Sequence, residues 1–343
     1  MTSSPRIAVL VPCLNEEAAI GKVVSDFRAS LPGAVVYVYD NNSTDGTAAV
    51  AQQAGAVVRR ERRPGKGSVV RRMFQDIEAD IYVMVDGDDT YDASAAPRLV
   101  DAMLASNLDM VVGKRVETHQ DAYRPGHRLG NLVLTGLVRK LFGSQIDDML
   151  SGYRVFSRRF VKSFPSSSRE FEIETELTVH AMQMRMAIAE LDTPYKERPP
   201  GSFSKLRTFR DGWRILVTIL NLMRNERPLM FFWLLGGILL LAALAAAIPL
   251  VFEYAHSGQV PRFPTAILCT GIATTAVVSF ATGLILDLVS HVRREMKRLA
   301  YLQHAAPSEH GNRPFADSAG ERGRSTLVQD RSPVAVASAD AHA

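Results

Sequence analysis

Along residues 6–113, short β-branched runs alternate with stretches of helical periodicity. The runs RIAVLVP, AVVYVYD, AVVRRE, DIYVMVD and LDMVVGK are rich in Val, Ile and Tyr and bounded by polar clusters, so they read as strands. Strands that alternate with helices predict an α/β domain whose parallel sheet is covered by helices on both faces. Open sheets of that kind bind ligands at the carboxyl ends of their strands. The polar residues ending these runs are therefore the place to look for chemistry: Asn15–Glu17 after the first, Asp40 after the second and Asp86–Asp89 after the fourth.

Beyond residue 113 the pattern changes. Residues 129–143 read as an amphipathic helix with Leu129, Leu132, Val133, Leu137, Leu141 and Phe142 near one face, surrounded by Arg124, Arg128, Arg139 and Lys140. Residues 211–228, with Trp213 and an apolar face, read as a basic helix lying in a membrane interface. It runs into an uncharged segment from Leu229 to Phe252, and a second uncharged segment covers 265–286. Uncharged apolar runs of about 18 or more residues favour a bilayer over a buried core helix. Pro228 suits the first turn of the first span.

Charge adds orientation. The formal net charge is +4, but its distribution points to a membrane rather than to nucleic acid. Arg207, Arg210, Arg214, Arg224 and Arg227 precede the apolar pair, and Arg293, Arg294, Lys297 and Arg298 follow it, whereas the loop between carries only Arg262. By the positive-inside rule both flanks are cytoplasmic and the loop is outside. The N-terminus lacks the basic-then-apolar layout of a signal peptide. The two cysteines, Cys13 and Cys269, have no metal-ligand spacing and read as small apolar fillers. From Ala305 the chain is poor in large apolar residues and reads as a disordered tail.

Within the globular part, the strongest local signal is VMVDGDDTYD, which gathers Asp86, Asp88, Asp89 and Asp92 behind an apolar strand. Like charges this close are costly unless a cation neutralises them, and all-oxygen ligands suit Mg2+ or Mn2+. A helix-capping cluster is the other reading. In YDNNSTDGT, Asp40 ends a strand and is placed for a hydrogen bond to a donor base or ribose, with Ser43, Thr44 or Asp45 capping the next helix. In RRPGKGSVVRR, a glycine-lysine-glycine turn opens a helix whose N–H groups favour phosphate, with Lys66 and Arg71 adding charge. A solvated basic face would carry the same residues.

Taken together, these segments resemble family-2 glycosyltransferases, and among them the polyprenyl-phosphate branch, which is dolichyl-phosphate-mannose-synthase-like. The resemblance covers residues 6–210 through seven ordered blocks: VPCLNEE, YDNNSTDGT, GKG, VDGDD, DMLSGYRVFSRR, FEIETEL and ERPPGSFSKL. It implies an α/β GT-A (nucleotide-diphospho-sugar transferase, Rossmann-like) domain followed by a two-helix transmembrane hairpin. The implied layout is a cytoplasmic catalytic domain over 1–200, a juxtamembrane amphipathic segment over 201–228, two spans (229–252 and 265–286) within 229–290, and a basic flank and tail over 291–343. The protein would sit in the cell's inner membrane, multi-pass, with both termini cytoplasmic.

The resemblance also implies residue roles. Pro12, Asn15, Glu17 and Asp40 belong to a nucleotide pocket, joined by Lys66 and Arg71. Asp86 and Asp88 are metal and donor-diphosphate residues, with Mg2+ or Mn2+ as cofactor. Asp148 opens the D-x-x-S-G-Y-R block near acceptor and sugar, and with Asp88 forms the expected catalytic pair. Glu172 and Glu176 lie where the family places sugar-side acids, and Arg198, Ser204 and Lys205 resemble its basic residues that hold phosphates near the membrane. The usual DDGS is here Asp40-Asn41-Asn42-Ser43, which leaves the base open: a UDP-sugar is favoured, with GDP-mannose as the other donor. The Q-x-x-R-W motif of processive synthases is absent from the sequence. The expected reaction is inverting transfer of a sugar to a polyprenyl phosphate of the undecaprenyl or dolichyl type, without nucleic acid, by a homo-oligomer that the resemblance makes a tetramer. Two rival readings stand beside it: a same-fold transferase with another lipid or a soluble acceptor, and an inactive membrane-anchored assembly partner.

Overall fold

A computed structural model describes residues 4–117, 146–165, 173–196, 221, 224 and 227–307. The amphipathic stretch 129–143, most of 211–228 and the tail beyond 307 lie outside these residues.

The first strand, β1 (Ile7–Cys13), is followed by α1 (Glu17–Ser30), β2 (Val35–Asp40), α2 (Thr47–Gln53), β3 (Val57–Arg60), α3 (Lys66–Asp76) and β4 (Ile81–Met84). This half alternates as the sequence pattern predicts, and its strands pair in parallel, β3-β2-β1-β4. Then come α4 (Ala96–Ala105), β5 (Met110–Glu117), β6 (Arg154–Ser157), α5 (Arg158–Ser163), α6 (Ile173–Gln183) and β7 (Ile188–Tyr195). The full sheet has seven strands in the order β3-β2-β1-β4-β6-β5-β7.

The expectation of a purely parallel sheet needs correcting. β6 inserts between β4 and β5 and runs antiparallel to both. Four residues, RVFS, all buried, are too short to show a period. β7 pairs parallel with β5 at the edge, and its polar residues and Pro194 disguise it; an edge strand tolerates proline because one side of its ladder is unpaired.

Alternate strand residues face opposite layers. Val9, Val11, Val38, Val83 and Val155 pack under α1, α2 and α4. Ala8, Leu10, Tyr82, Met84 and Phe156 pack under α3, α5 and α6.

Two long helices follow, α7 (Pro228–Ser257) and α8 (Phe263–Leu302), with Pro228 in the first turn of α7 as the sequence suggests. Their most apolar windows have mean hydropathies of 2.6 and 1.9, and only 11% and 17% of those windows is buried. A core helix of a soluble domain would be covered, so this exposure agrees with a lipid-facing pair. The pair closes through small residues, as membrane helices do when backbones must approach. Gly236 abuts Phe280 and Ala276, Gly283 abuts Phe232 and Trp233, and the Ser279 hydroxyl donates to the Phe232 carbonyl at 3.0 Å.

Candidate functional site

The carboxyl edge of β1, β2 and β4 gathers the polar residues expected there. Asn15, at φ 52° in the left-handed region, sits where β1 turns into α1. Its Oδ1 accepts from the Thr44 N–H at 2.8 Å, and its own N–H donates to Ser43 Oγ at 2.9 Å. Asp40, ending β2, accepts from the Ser43 N–H at 3.1 Å. Glu17 accepts from the Gly46 N–H at 2.9 Å, and Asp45 accepts from Thr47 at the start of α2. Asn15, Glu17 and Asp40 thus converge on one turn, residues 43–47. Pro12 lies beside them, in register with Tyr39.

Asn41 gives the departure from the usual acidic pair a physical reason. Its amide donates to the Glu61 and Arg63 carbonyls at 2.9 and 2.7 Å, and its Oδ1 accepts from the Gly65 N–H at 2.8 Å. A carboxylate has no N–H to give those two carbonyls. Asn41 therefore fastens the turn before α3, where Gly65 takes φ 105°, a conformation suited to glycine.

That turn delivers Lys66 at the first position of α3. Its ammonium lies 2.5 Å from Asp86 Oδ1 and 2.5 Å from Glu174 Oε1. Burial by itself would lower the lysine's pKa, but the two carboxylates outweigh it and hold Lys66 well above its usual range. Arg71, on the same helix, is partly exposed. The four aspartates of VDGDDTYD separate by role. Asp89 pairs with Lys22 at 3.0 Å. Asp92 accepts from the Ser94 N–H and caps a short 3-10 turn, so the capping reading holds for this one residue. Asp88 is buried and accepts from the Thr90 hydroxyl at 2.6 Å. Asp86 enters the site over Gly152, where an added Cβ would stand 2.4 Å from its Oδ2. Beneath them, burial together with Glu16, Asp86, Asp40 and Asp88 pushes the Cys13 thiol up, so the free cysteine is a filler under a negative centre.

The third wall is the block from Asp147 to Arg154. Asp148 accepts from Arg115 Nε and Nη2, each at 2.7 Å. Burial opposes ionisation, yet these two bonds hold its carboxyl below the ordinary range. The Asp147 and Asp148 N–H groups donate to Glu190. Arg154, fully buried, donates to the Ser151 carbonyl at 2.9 Å and to Thr178 at 2.8 Å, which fixes the loop from within. Tyr91 accepts from the Gly152 N–H at 2.9 Å, and the Lys196 N–H donates to the Thr90 carbonyl at 2.8 Å. The aspartate loop, the Asp148 block and the end of β7 thereby form one edge.

Glu172, Arg198, Ser204 and Lys205 lie outside the described residues. Glu176 is half-buried on α6. Glu174 is the acid that meets Lys66, and residues two apart do not share a helix face. Arg115, Arg154 and Glu174 carry no motif signal of their own, and Asn41 stands out in the sequence only as a missing carboxylate. Each sits within or beside a recognised block, and only the pairing geometry distinguishes it.

The donor set fits a divalent cation. Among the described residues no group of three or more His, Cys, Asp or Glu is arranged as a cage. Mg2+, however, is commonly held by one or two carboxylates together with substrate phosphates. Asp86 and Asp88 supply two carboxylates, Asp86 against Gly152, which leaves room for it, and the Lys66 ammonium already sits as a cation against Asp86.

Comparison with known proteins agrees with this geometry. Residues 8–164 match glycosyl transferase family 2. Glycosyltransferase AglJ of Haloferax volcanii is 32% identical over 310 residues, covering 88% of this chain and 100% of that protein. A dolichyl-phosphate hexose transferase from the same organism is 28% identical over 221 residues, covering 64% and 95%. Glucosyl-3-phosphoglycerate synthase of Mycobacterium tuberculosis, solved with Mn2+, UDP and glucosyl-3-phosphoglycerate, superposes with a TM-score of 0.54 at 25% identity, covering 64% of this chain and 79% of that one. The same enzyme has been solved with Mg2+ and UDP. A nucleotide-diphospho-sugar fold, its acidic strand end and a relative matched along its whole length agree: the chain belongs to glycosyl transferase family 2 and is a glycosyltransferase.

Proposed function

We propose that the protein transfers a sugar from a nucleotide-diphosphate-sugar, with UDP-sugars favoured over GDP-mannose, to a polyprenyl phosphate at the cytoplasmic face of the membrane. The observation that carries this reading is the union in one chain of a cation-balanced carboxylate centre, Lys66 between Asp86 and Glu174, with two exposed apolar helices. The dolichyl-phosphate hexose transferase relative and the arginine-rich flanks of the hairpin support the acceptor and the orientation.

In this reading the nucleotide rests against the turn that Asn15, Glu17 and Asp40 organise, near Pro12. The donor diphosphate lies at the start of α3, where the positive end of the helix and Lys66 meet negative charge and Arg71 adds to the field. Asp86 and Asp88 would hold Mg2+ or Mn2+, which when bound neutralises the diphosphate and eases departure of the nucleotide. Glu174, with Glu172 and Glu176 on the same segment, borders the sugar.

A phosphate monoester has a second pKa of about 6, so the acceptor is ionised at neutral pH and a strong general base is unnecessary. Asp148, held ionised by Arg115, orients the acceptor or acts as its base. Arg198, Ser204 and Lys205 hold the acceptor phosphate, and direct displacement inverts the anomeric carbon. What the site supplies is proximity and electrostatic stabilisation of two anions brought together.

A second reading, a soluble phosphorylated acceptor, draws on the solved neighbour bound to glucosyl-3-phosphoglycerate. Incubating the purified protein with UDP- and GDP-sugars, undecaprenyl phosphate and 3-phosphoglycerate separates the two. A glycolipid formed from one donor supports the first reading; glycosylated phosphoglycerate and no glycolipid support the second.

A further inference from the structure

The last turn of α8 returns to the catalytic domain. Tyr301 packs against the core cluster, and its hydroxyl donates to Asp109 Oδ2 at 2.9 Å. The Arg159 guanidinium lies 4.8 Å from the centre of the Tyr301 ring and binds both oxygens of Asp109, which also accepts from the Ser157 hydroxyl at 3.0 Å. Asp109 itself is 1% exposed. A buried carboxylate with donors from α5, the end of β6 and α8 is a joint between elements far apart in sequence.

Its position matters more than its strength. Asp109 precedes β5, and the strand register sets Met110 level with Tyr82 through Phe156. Asp109 therefore lies on the amino edge of the sheet, opposite the carboxyl edge that carries Asp86 and Asp148. On that carboxyl edge β7 ends at Tyr195, and Lys196 is bonded to Thr90 beside the site. Tyr301 thus joins the hairpin to the catalytic domain at the edge opposite the site. Between the apolar stretch, which ends before Asp287, and Tyr301, α8 is one unbroken helix. At a rise of about 1.5 Å per residue, that makes a rod of ~21 Å. A stiff rod docked on the domain through a buried joint limits how far the domain can tilt about the hairpin.

We infer that Tyr301, with Asp109 and Arg159, is a positioning residue: it fixes the tilt of the catalytic edge relative to the bilayer, and so the presentation of the site to an acceptor whose phosphate cannot leave the headgroup plane. Tyr301 lies on the edge away from the site and plays no part in donor chemistry. The inference rests on the membrane-acceptor reading above for its functional consequence, but its geometric content can be tested without it.

The geometric test is a distance measurement by electron spin resonance in nanodiscs, with spin labels at Ser106→Cys on the domain and Arg293→Cys on α8, in a background with Cys269→Ser and Cys13→Ala. The labelled protein should give one narrow distribution, and Tyr301→Ala a broad one. Equally narrow distributions in both overturn the clamp, whatever the acceptor proves to be. The functional test compares turnover on undecaprenyl phosphate in vesicles with turnover on a short, water-soluble prenyl phosphate. Tyr301→Ala should lose about tenfold on the vesicle acceptor, about 1.4 kcal/mol in barrier, with the soluble acceptor and UDP affinity unchanged. Tyr301→Phe, which keeps the ring over Arg159, should fall between. Equal loss on both acceptors, or loss on neither, overturns the positioning role. A wild-type protein inactive on both lipids counts against the acceptor reading, and the spin-label distances still decide the clamp.

Discussion

Replacing Lys66 by methionine removes the one ammonium that bridges Asp86 and Glu174, and its effects on donor and metal should have opposite signs. The side chain volume is nearly kept, so the change is one of charge. Glu174 is only 6% exposed and Asp86 29%, so Glu174 is stranded while Asp86 can turn to water. Removing one partner of a buried pair costs about 3–5 kcal/mol, and the exposure of Asp86 places this case at the lower end, about 3 kcal/mol. A hydrogen bond to a charged group contributes about 1.5–3 kcal/mol. If Lys66 grips the donor diphosphate, UDP affinity should fall by that amount, roughly 10- to 150-fold. Mn2+ measured alone should bind more tightly, because the ammonium no longer competes for Asp86. Calorimetric titrations with UDP and with Mn2+ separately read both effects. Unchanged UDP affinity together with weaker Mn2+ binding would show that Lys66 supports the metal ligands and does not touch the donor.

Further predictions concern other walls of the site and the hairpin. Gly152→Ala places a methyl carbon 2.4 Å from Asp86 Oδ2, which must then shift; transfer should fall at least tenfold with little change in melting temperature, and a fully active variant would remove Asp86 from the site. Asp88→Ala should abolish transfer and metal-dependent UDP binding, and full activity of this variant, or of the unaltered protein in EDTA, would contradict the metal assignment. Arg198→Ala and Lys205→Ala should each cut turnover while membrane association stays unchanged, whereas recovery in saturating lipid would reduce them to headgroup attraction. Burial, helped by Lys297, pushes the His180 imidazole down to about 3, so the unfolded chain binds more protons below its ordinary value of 6.5. Stability should therefore fall with acid, by about 2 kcal/mol between pH 6.5 and 5. His180→Phe should flatten that slope in denaturant titrations at the two pH values, and an identical slope would mean the ring is hydrated. Cysteines placed at 258–262, between α7 and α8, should label from outside the cell, and labelling from the cytoplasm alone would reverse the topology.

How far the sequence could be read depended on whether a feature was local. β1, β2, β3, β4 and β5 each carry a β-branched run between polar turns, so the placement of Asp40, Asp86 and Asp88 at the carboxyl edge was legible. The hairpin was legible for the same reason, since uncharged length is a property of consecutive residues. β6 was not, because four buried residues show no period, and its antiparallel insertion between β4 and β5 depends on pairing across 70 residues, as between Met84 and Arg154. Glu174 and Arg115 were missed because what marks them is a partner far along the chain, Lys66 and Asp148. Asn41 looked like a lost carboxylate; its two amide donors to Glu61 and Arg63 show it to be a different device, which fixes the turn that presents Lys66. Tyr301, in a helix read for its hydropathy, meets Asp109 across 192 positions.

The central claim, direct transfer of a sugar onto a lipid phosphate, is tested most directly by identifying both products of one reaction. With a UDP-hexose, undecaprenyl phosphate and Mn2+, the nucleotide released should be UDP, and mass spectrometry should find a hexose joined to the lipid through a single phosphate, its anomeric configuration inverted relative to the donor. Release of UMP with a diphosphate-linked lipid, or UDP release with the lipid unchanged, would contradict the account.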